Sequence, residues 1–194
     1  SKEEVLSRFC CAELGFWYIS LLLWGDVETG WLWIIILLMR GWCKRDTNTI
    51  PFSWELPKEL NGFISPQSVR FTLTPFMSAK RFACNLRSGE EWLFHFRVDF
   101  RNSNEKHSKD AVIRNSTRKG KWLDEERTIS HFPFSKGLTC DILFTAYGST
   151  VAVDVDGVHF VKFKYRVGDD PSLIDKITVQ GDCILQRFVH RTYV

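Results

Sequence analysis

The sequence is poor in every signature of a catalyst. It has no G-x-S-x-G nucleophile elbow, no phosphate-cradling glycine-rich loop and no H-E-x-x-H pair. Its five histidines, His95, His107, His131, His159 and His190, lack the i, i+2 or i, i+4 spacing by which two imidazoles share a metal. "DVDG" at Asp154 to Gly157 opens like a calcium loop but lacks the later ligands, so it reads as a hairpin turn. No metal, no cofactor and no enzymatic reaction are expected.

An excess of one charge is missing as well. The 26 Lys and Arg against 23 Asp and Glu leave a net charge of +3, and the basic residues are dispersed. Blocks such as "RKGK" at Arg118 to Lys121 are short and sit in turn-like sequence, which argues against nucleic acid as a partner. There are six cysteines but no disulfide framework. Cys10, Cys11 and Cys43 precede the globular part, and Cys84, Cys140 and Cys183 form an odd, widely spaced trio that fits neither paired bridges nor zinc. Reduced, partly buried thiols of a cytosolic protein are expected.

The chain also lacks a single long apolar run. "FWYISLLLW" (Phe16 to Trp24) and "WLWIIILLM" (Trp31 to Met39) are each about half the roughly 20 residues that span a bilayer. Fused into one span they would bury Asp26 and Glu28, at roughly 2.5–3.5 kcal/mol for a central acid. No small-residue cleavage site follows Met39, and Arg40, Lys44 and Arg45 come after the run rather than before it. Three readings of residues 1–48 stay open: a membrane-associated or signal-anchor helix, a helix docked on a partner, and an artefact of the gene assembly.

What the sequence does have, from about Thr49 to Val194, is alternation. "SVRFTLTP" (Ser68 to Pro75), "KRFACNLRS" (Lys80 to Ser88), "WLFHFRVDF" (Trp92 to Phe100), "DAVIRNS" (Asp110 to Ser116) and "LTCDILFTAYG" (Leu138 to Gly148) read as strands punctuated by Gly, Pro, Asn and Asp. "VAVDVDGVHFVKFKYR" (Val151 to Arg166) alternates across Asp156-Gly157, a strong hairpin signal, and "DKITVQGDCILQRFV" (Asp175 to Val189) closes the set. The one helical turn predicted is "DDPSLID", with Pro171 at its first position. Ten or eleven short strands predict an all-β domain, an antiparallel two-sheet sandwich behind an N-terminal hydrophobic extension.

One strand carries more than a core. In an extended chain, residues two apart share a face. Trp92, Phe94, Phe96, Val98 and Phe100 would then line the core, with Leu93, His95, Arg97 and Asp99 on the other side. The next strand offers Asn115, and beyond it come Trp122, Glu125 and Arg127 in "WLDEER". A solvated face would explain any one of these residues, and a lone Trp beside a turn is commonly a packing residue. Together they suit a binding surface.

This array resembles the galectin family, whose pattern is H-x-N-x-R on one strand, Asn on the next, then W-x-x-E-x-R. The resemblance extends over "IPFSWELPKELNGFISPQSVRFTLTPFMSAKRFACNLRSG", over Arg127 to Arg166 with its "FPF" approach and "VDG" hairpin, and over Ile174 to Phe188. It covers roughly residues 49–194, the expected carbohydrate-recognition domain. It implies a jelly-roll sandwich of the concanavalin and galectin type, whose concave sheet binds β-galactosides without metal or chemistry. The implied sugar-binding residues are His95, Arg97, Asp99, Asn115, Trp122, Glu125 and Arg127, and the implied partners are galactose-containing glycans or glycoproteins. Homodimer formation is left open, as is membrane association through the N-terminal segment. A cytoplasmic chain, exported without a leader, is the usual setting of galectin-like proteins, and a real apolar anchor would make it membrane-associated.

Two positions depart from the pattern: Arg97 stands where the family has Asn, and Asp99 where it has Arg. A carboxylate replaces the guanidinium expected to donate to the galactose 4-OH, and Asp99 is expected near Glu125, with Arg97 or Arg127 between them. Hydrogen bonds to charged groups contribute roughly 1.5–3 kcal/mol, whereas a millimolar sugar has only ~4 kcal/mol in total. Two expectations follow: a lectin of changed or weakened specificity, or a galectin-fold interaction module that has lost sugar binding. "NST" at Asn115 to Thr117 is also a glycosylation acceptor sequence, and a glycan there would obstruct the site, which favours a chain outside the secretory lumen.

Overall fold

Short alternating strands cannot bury their apolar faces alone, so they pair into sheets and the sheets face each other. The computed structural model describes residues 50–102, 104–106 and 108–192, together with the backbone of 17–24 and 33–44. In chain order the strands are β1 (Trp17–Trp24), β2 (Trp33–Lys44), β3 (Phe52–Glu55), β4 (Gln67–Pro75), β5 (Arg81–Ser88), β6 (Glu91–Asp99) and β7 (Ala111–Asn115). They continue with β8 (Thr117–Arg118), β9 (Lys121–Trp122), β10 (Cys140–Tyr147), β11 (Thr150–Val155), β12 (Val158–Lys164), β13 (Lys176–Gly181) and β14 (Cys183–Thr192). A seven-stranded sheet runs β1-β2-β14-β4-β10-β11-β12, a five-stranded sheet runs β3-β13-β5-β6-β7, and β8 and β9 form a small ribbon. All the pairings are antiparallel.

The core lies between the two large sheets and is built from phenylalanine. Phe71, Phe82, Phe94, Phe96, Phe144, Phe163 and Phe188 have no exposed surface. Phe94 on β6 meets Phe144 on β10 at 5.1 Å and Phe163 on β12 at 4.8 Å between ring centroids, which ties one sheet to the other. Each fully buried ring of this kind stabilises the fold by roughly 1.5–3 kcal/mol. The Asp156-Gly157 hairpin takes φ of 50° and 82°, the positive pair a two-residue turn between twisted strands requires. Pro171 opens a 3-10 turn (Pro171–Leu173), whose first N–H groups are capped by Asp170 accepting from Ser172 N–H at 2.9 Å.

Three details differ from the sequence reading. The described residues form fourteen strands rather than ten or eleven, the additions being β1, β2, β8 and β9. Within the two N-terminal apolar runs, the described backbone of 17–24 and 33–44 is strand. β1 and β2 pair antiparallel, and β2 pairs with β14 at the side of the seven-stranded sheet. Two runs half a bilayer long, one carrying three consecutive isoleucines, suit strands that pair with each other. The linking "GDVETG", Cys10 and Cys11 lie outside the described residues, and no described helix is long and apolar enough to cross a membrane. Third, β6 carries a bulge, with Leu86 opposite Phe94 but Arg87 opposite Trp92. Leu93 is the additional residue and belongs to the core cluster. That shift removes Trp92 from the apolar row.

Candidate functional site

Strand register assembles the outer face of the five-stranded sheet. Thr178 pairs with Asn85, Asn85 with His95 and His95 with Asn115, one residue from each of β13, β5, β6 and β7. A second row runs Gln180, Ala83, Arg97 and Ile113 in the same strands. Beyond β7 the chain makes a bridge between Arg114 and Glu126, with both backbone hydrogen bonds formed, at 2.9 and 2.8 Å. The bridge puts Glu126 on the side of Arg114. Alternation then puts Glu125 and Arg127 on the side of Asn115 and Ile113.

His95 is 5% exposed, and its Nδ1 meets Asn85 Oδ1 at 2.6 Å. Asn85 is oriented in turn by its Nδ2 donating to Thr178 Oγ1 at 3.0 Å. Burial first, then the positive Arg97, lowers the imidazole pKa to about 4, against an opposing pull from Glu125. The ring is therefore neutral near pH 7. Its Nδ1–H donates to Asn85, which leaves Nε2 as an acceptor.

Trp122 is half exposed, and its ring centroid lies 4.8 Å from His95. Its backbone is gripped from below. Thr117 pairs with Trp122 in the β8–β9 ribbon, and Thr117 Oγ1 donates to Glu91 Oε2 in a very short contact. Gly120 N–H donates to Glu91 Oε1 at 2.8 Å. These two donors, the Thr117 hydroxyl foremost, hold the Glu91 carboxyl below the usual range. Past the ribbon, Arg127 Nε and Nη2 donate to Glu125 Oε2 at 2.8 and 2.5 Å, an exposed pair at the rim.

Asn115 behaves differently from the sequence expectation. It adjoins His95 as expected, but it is 1% exposed and both ends of its amide are engaged. Nδ2 donates to Leu123 O at 2.8 Å, and Oδ1 accepts from Ser116 N–H at 2.8 Å. Its direct work is to fix the segment that carries Trp122. Asp99 is displaced from expectation too: register sets it opposite Ala111, while His95 and Asn115 share the row on Glu125's side. Arg97 Nη2 donates to Asp99 Oδ2 at 3.0 Å, so the two acids are neutralised by separate arginines and do not crowd each other.

The sequence reading missed three contributors. Asn85 orients His95, Glu91 clamps the ribbon, and Trp92 stacks on Trp122 at 5.0 Å with an interplanar angle of 16°. The bulge at Leu93 brings Trp92 there, and unbroken alternation cannot anticipate it.

Residues 51–190 match the family model described as galactoside-binding lectin. This chain belongs to the galactoside-binding lectin family. It is similar to Galectin-8 of Rattus norvegicus, 39% identical over 72 residues that make up 37% of this chain and 22% of that protein. It is also similar to Galectin-4 of Bos taurus, 32% identical over 55% of this chain and 31% of the relative. A 32 kDa beta-galactoside-binding lectin of Caenorhabditis elegans is 34% identical over 63% of this chain and 40% of its own length. The chain thus spans well under half of these relatives. Among solved structures, Caenorhabditis elegans galectin LEC-6 superposes with a TM-score of 0.62 at 26% identity, covering 75% of this chain and 92% of that one.

Seen as a galectin, the face divides into a matching part and a departing part. His95, Asn115, Trp122, Glu125 and Arg127 keep the family's residue types, while Arg97 and Asp99 form an internal ion pair where the family carries Asn and Arg. The fold and family are those of lectins rather than enzymes.

Proposed function

We propose that the domain binds β-galactoside-type glycans non-covalently on the outer face of the five-stranded sheet, with specificity altered by Arg97 and Asp99. One observation carries this reading: a half-exposed indole, Trp122, stands 4.8 Å from the ring of a neutral histidine whose Nε2 can accept from a sugar hydroxyl. The exposed Glu125–Arg127 pair, with Glu125 within electrostatic reach of His95, offers acceptor and donor groups beside it. Arg97 is held toward Asp99, so its donors reach a ligand from a different direction than the family arginine would. A glycan array with the wild type and Trp122→Ala tests the reading. Retention that the variant loses is expected, and equal retention by both proteins would end it.

A second reading has its own support. Arg97 stands in place of an amide and Asp99 in place of a donor, so two family sugar contacts are replaced. On this reading the domain is a protein-interaction module on a galectin fold. A saturable galactoside titration of millimolar affinity or better decides against it.

We place the chain in a reducing compartment. The three cysteines whose side chains are described, Cys84, Cys140 and Cys183, are free and buried, and the Asn115 acceptor sequence is covered. Intact mass showing no N-glycan on Asn115 is the expected result. If the apolar N-terminal segment tethers the domain to a membrane, removing residues 1–48 relocates it.

A further inference from the structure

Trp92 has no part in the family pattern, and its neighbours suggest one. We propose that Trp92 is a positioning residue that braces Trp122, covering one indole face so that the other is presented rigidly to ligand. The ligand part of this inference rests on the lectin reading above.

The geometry begins with the bulge. Because Leu93 drops into the core, Trp92 emerges on the same side as His95, with ring centroids 6.3 Å apart. Its indole lies nearly parallel to that of Trp122 at 5.0 Å. On the strand beneath, the Arg87 guanidinium sits 4.9 Å from the Trp92 ring and is itself held by the Glu90 carboxylate at 3.3 Å. Arg87 and Trp122 thus both pack against the Trp92 ring.

The stack leaves one plate face open. Were Trp92 and His95 on opposite faces of Trp122, they would be separated by nearly the sum of 5.0 and 4.8 Å. They are only 6.3 Å apart, so His95 does not cover the face of Trp122 opposite Trp92, and half of the residue's surface stays exposed. Backbone contacts reinforce the brace. Trp92 N–H donates to Thr117 Oγ1 at 2.9 Å, and Thr117 is the ribbon partner of Trp122. One end of β6 therefore holds both the ring and the main chain of the plate.

An aromatic side chain at the tip of a two-residue strand would otherwise be ordered only when ligand arrives, at the expense of affinity. A pre-stacked ring avoids that loss. Removing Trp92 should weaken binding by about three- to tenfold without removing any ligand contact.

The test compares wild type, Trp122→Ala, Trp92→Ala, Trp92→Phe and Trp92→Leu by far-ultraviolet circular dichroism without ligand and by calorimetric titration with lactose. Stacked indoles couple their transitions, so the wild type should show an exciton couplet that Trp122→Ala and Trp92→Ala abolish equally. Trp92→Ala should bind lactose about three- to tenfold more weakly, and Trp92→Phe, which keeps a flat ring, should recover most of the loss. Trp92→Leu, which keeps apolar bulk without a flat ring, takes the place of the alanine variant if that protein does not fold. A Trp92→Ala protein with an unchanged couplet, with unchanged affinity, or with tighter binding would overturn the brace, the last because Trp92 would then be covering the plate. Lactose binding without a wild-type couplet sinks the brace alone. A wild-type couplet without lactose binding sinks the lectin reading and leaves the stack standing.

Discussion

The site face has two halves built on different physical terms. The ribbon half, from Asn115 to Arg127, is held from beneath: Glu91 accepts from Thr117 and Gly120, Asn115 donates to Leu123 O, and the exposed parts are Trp122 and the Glu125–Arg127 pair. In the β6 half, Arg97 and Asp99 pair with each other through one contact, Nη2 to Oδ2, while Arg97 Nε and Asp99 Oδ1 are buried without a partner among the described residues. In the first half polar groups are spent on positioning, and the ligand-facing atoms stay available. In the second the charged groups are turned toward one another through a single hydrogen bond. On β6 itself His95, which is buried and bonded to Asn85, keeps the type of the pattern, and the replacements fall on the partly exposed pair Arg97 and Asp99.

The largest expected effect tests the ribbon half. Trp122→Ala removes the more exposed indole of the aromatic stack. Truncating a hot-spot aromatic typically costs 2 kcal/mol or more, so galactoside affinity should fall by about thirtyfold or beyond. Because Trp122 is half exposed, its urea midpoint should move little, and a large drop in the midpoint would mean that the ring serves packing instead.

Next comes the buried support. Asn115→Ala leaves Leu123 O and Ser116 N–H without their side-chain partners in a covered position. The expected loss of stability is about 1–3 kcal/mol, read by chemical denaturation, with a weaker effect on affinity through the loosened ribbon. If affinity collapsed while stability held, Asn115 would be a direct ligand contact.

How much of this was legible in the sequence follows from which rule each residue obeys. Period-two alternation correctly placed Phe94, Phe96 and Val98 in the core and His95, Arg97 and Asp99 outside, because those positions obey the pleat. The Asp156-Gly157 hairpin was legible because two adjacent positive φ angles demand such residues. Trp92 was misplaced because a bulge breaks the period locally; the sign available was the strand's start directly after the Gly89 turn, with φ of 54°. Glu91 and Asn85 were invisible as partners, since Thr117 and Thr178 come near them only through folding, 26 and 93 residues away in sequence. The engaged amide of Asn115 was likewise unreadable: residue type names what a group can do, and only packing decides whether it is already committed.

The third prediction tests the β6 half by restoring the family pattern. Arg97→Asn with Asp99→Arg breaks the internal pair and returns an amide and a guanidinium to the surface. A single charged hydrogen bond regained is worth roughly 1.5–3 kcal/mol, so galactoside binding should tighten by about tenfold or more. The lost ion pair is partly exposed and should change stability by no more than ~1 kcal/mol. No gain in binding would place the specificity change elsewhere on the face.

The smallest expected effect on affinity concerns pH, and it separates site from fold. His95 and His190 are both buried, and both are lowered to about 4, mainly by burial; His190 Nε2 meets Gln67 Oε1 at 2.9 Å in the core behind the site. A folded-state pKa depressed below the unfolded value of 6.5 means that the unfolded chain binds protons first as pH falls. The stability these groups contribute is complete above about pH 6.5 and declines toward pH 4, on the order of 1 kcal/mol per histidine by pH 5.5. Binding should not follow that decline. Between pH 7.5 and 5.5 the folded protein keeps His95 neutral, so its Nε2 remains an acceptor and lactose affinity should change less than about twofold. A steep loss of affinity across that range, with the fold intact by circular dichroism, would show that His95 titrates in the folded state and that burial does not control it. Replacing His190 by Gln should shrink the stability slope and leave affinity unmoved, which assigns the slope to burial in the fold and the flat binding curve to the site.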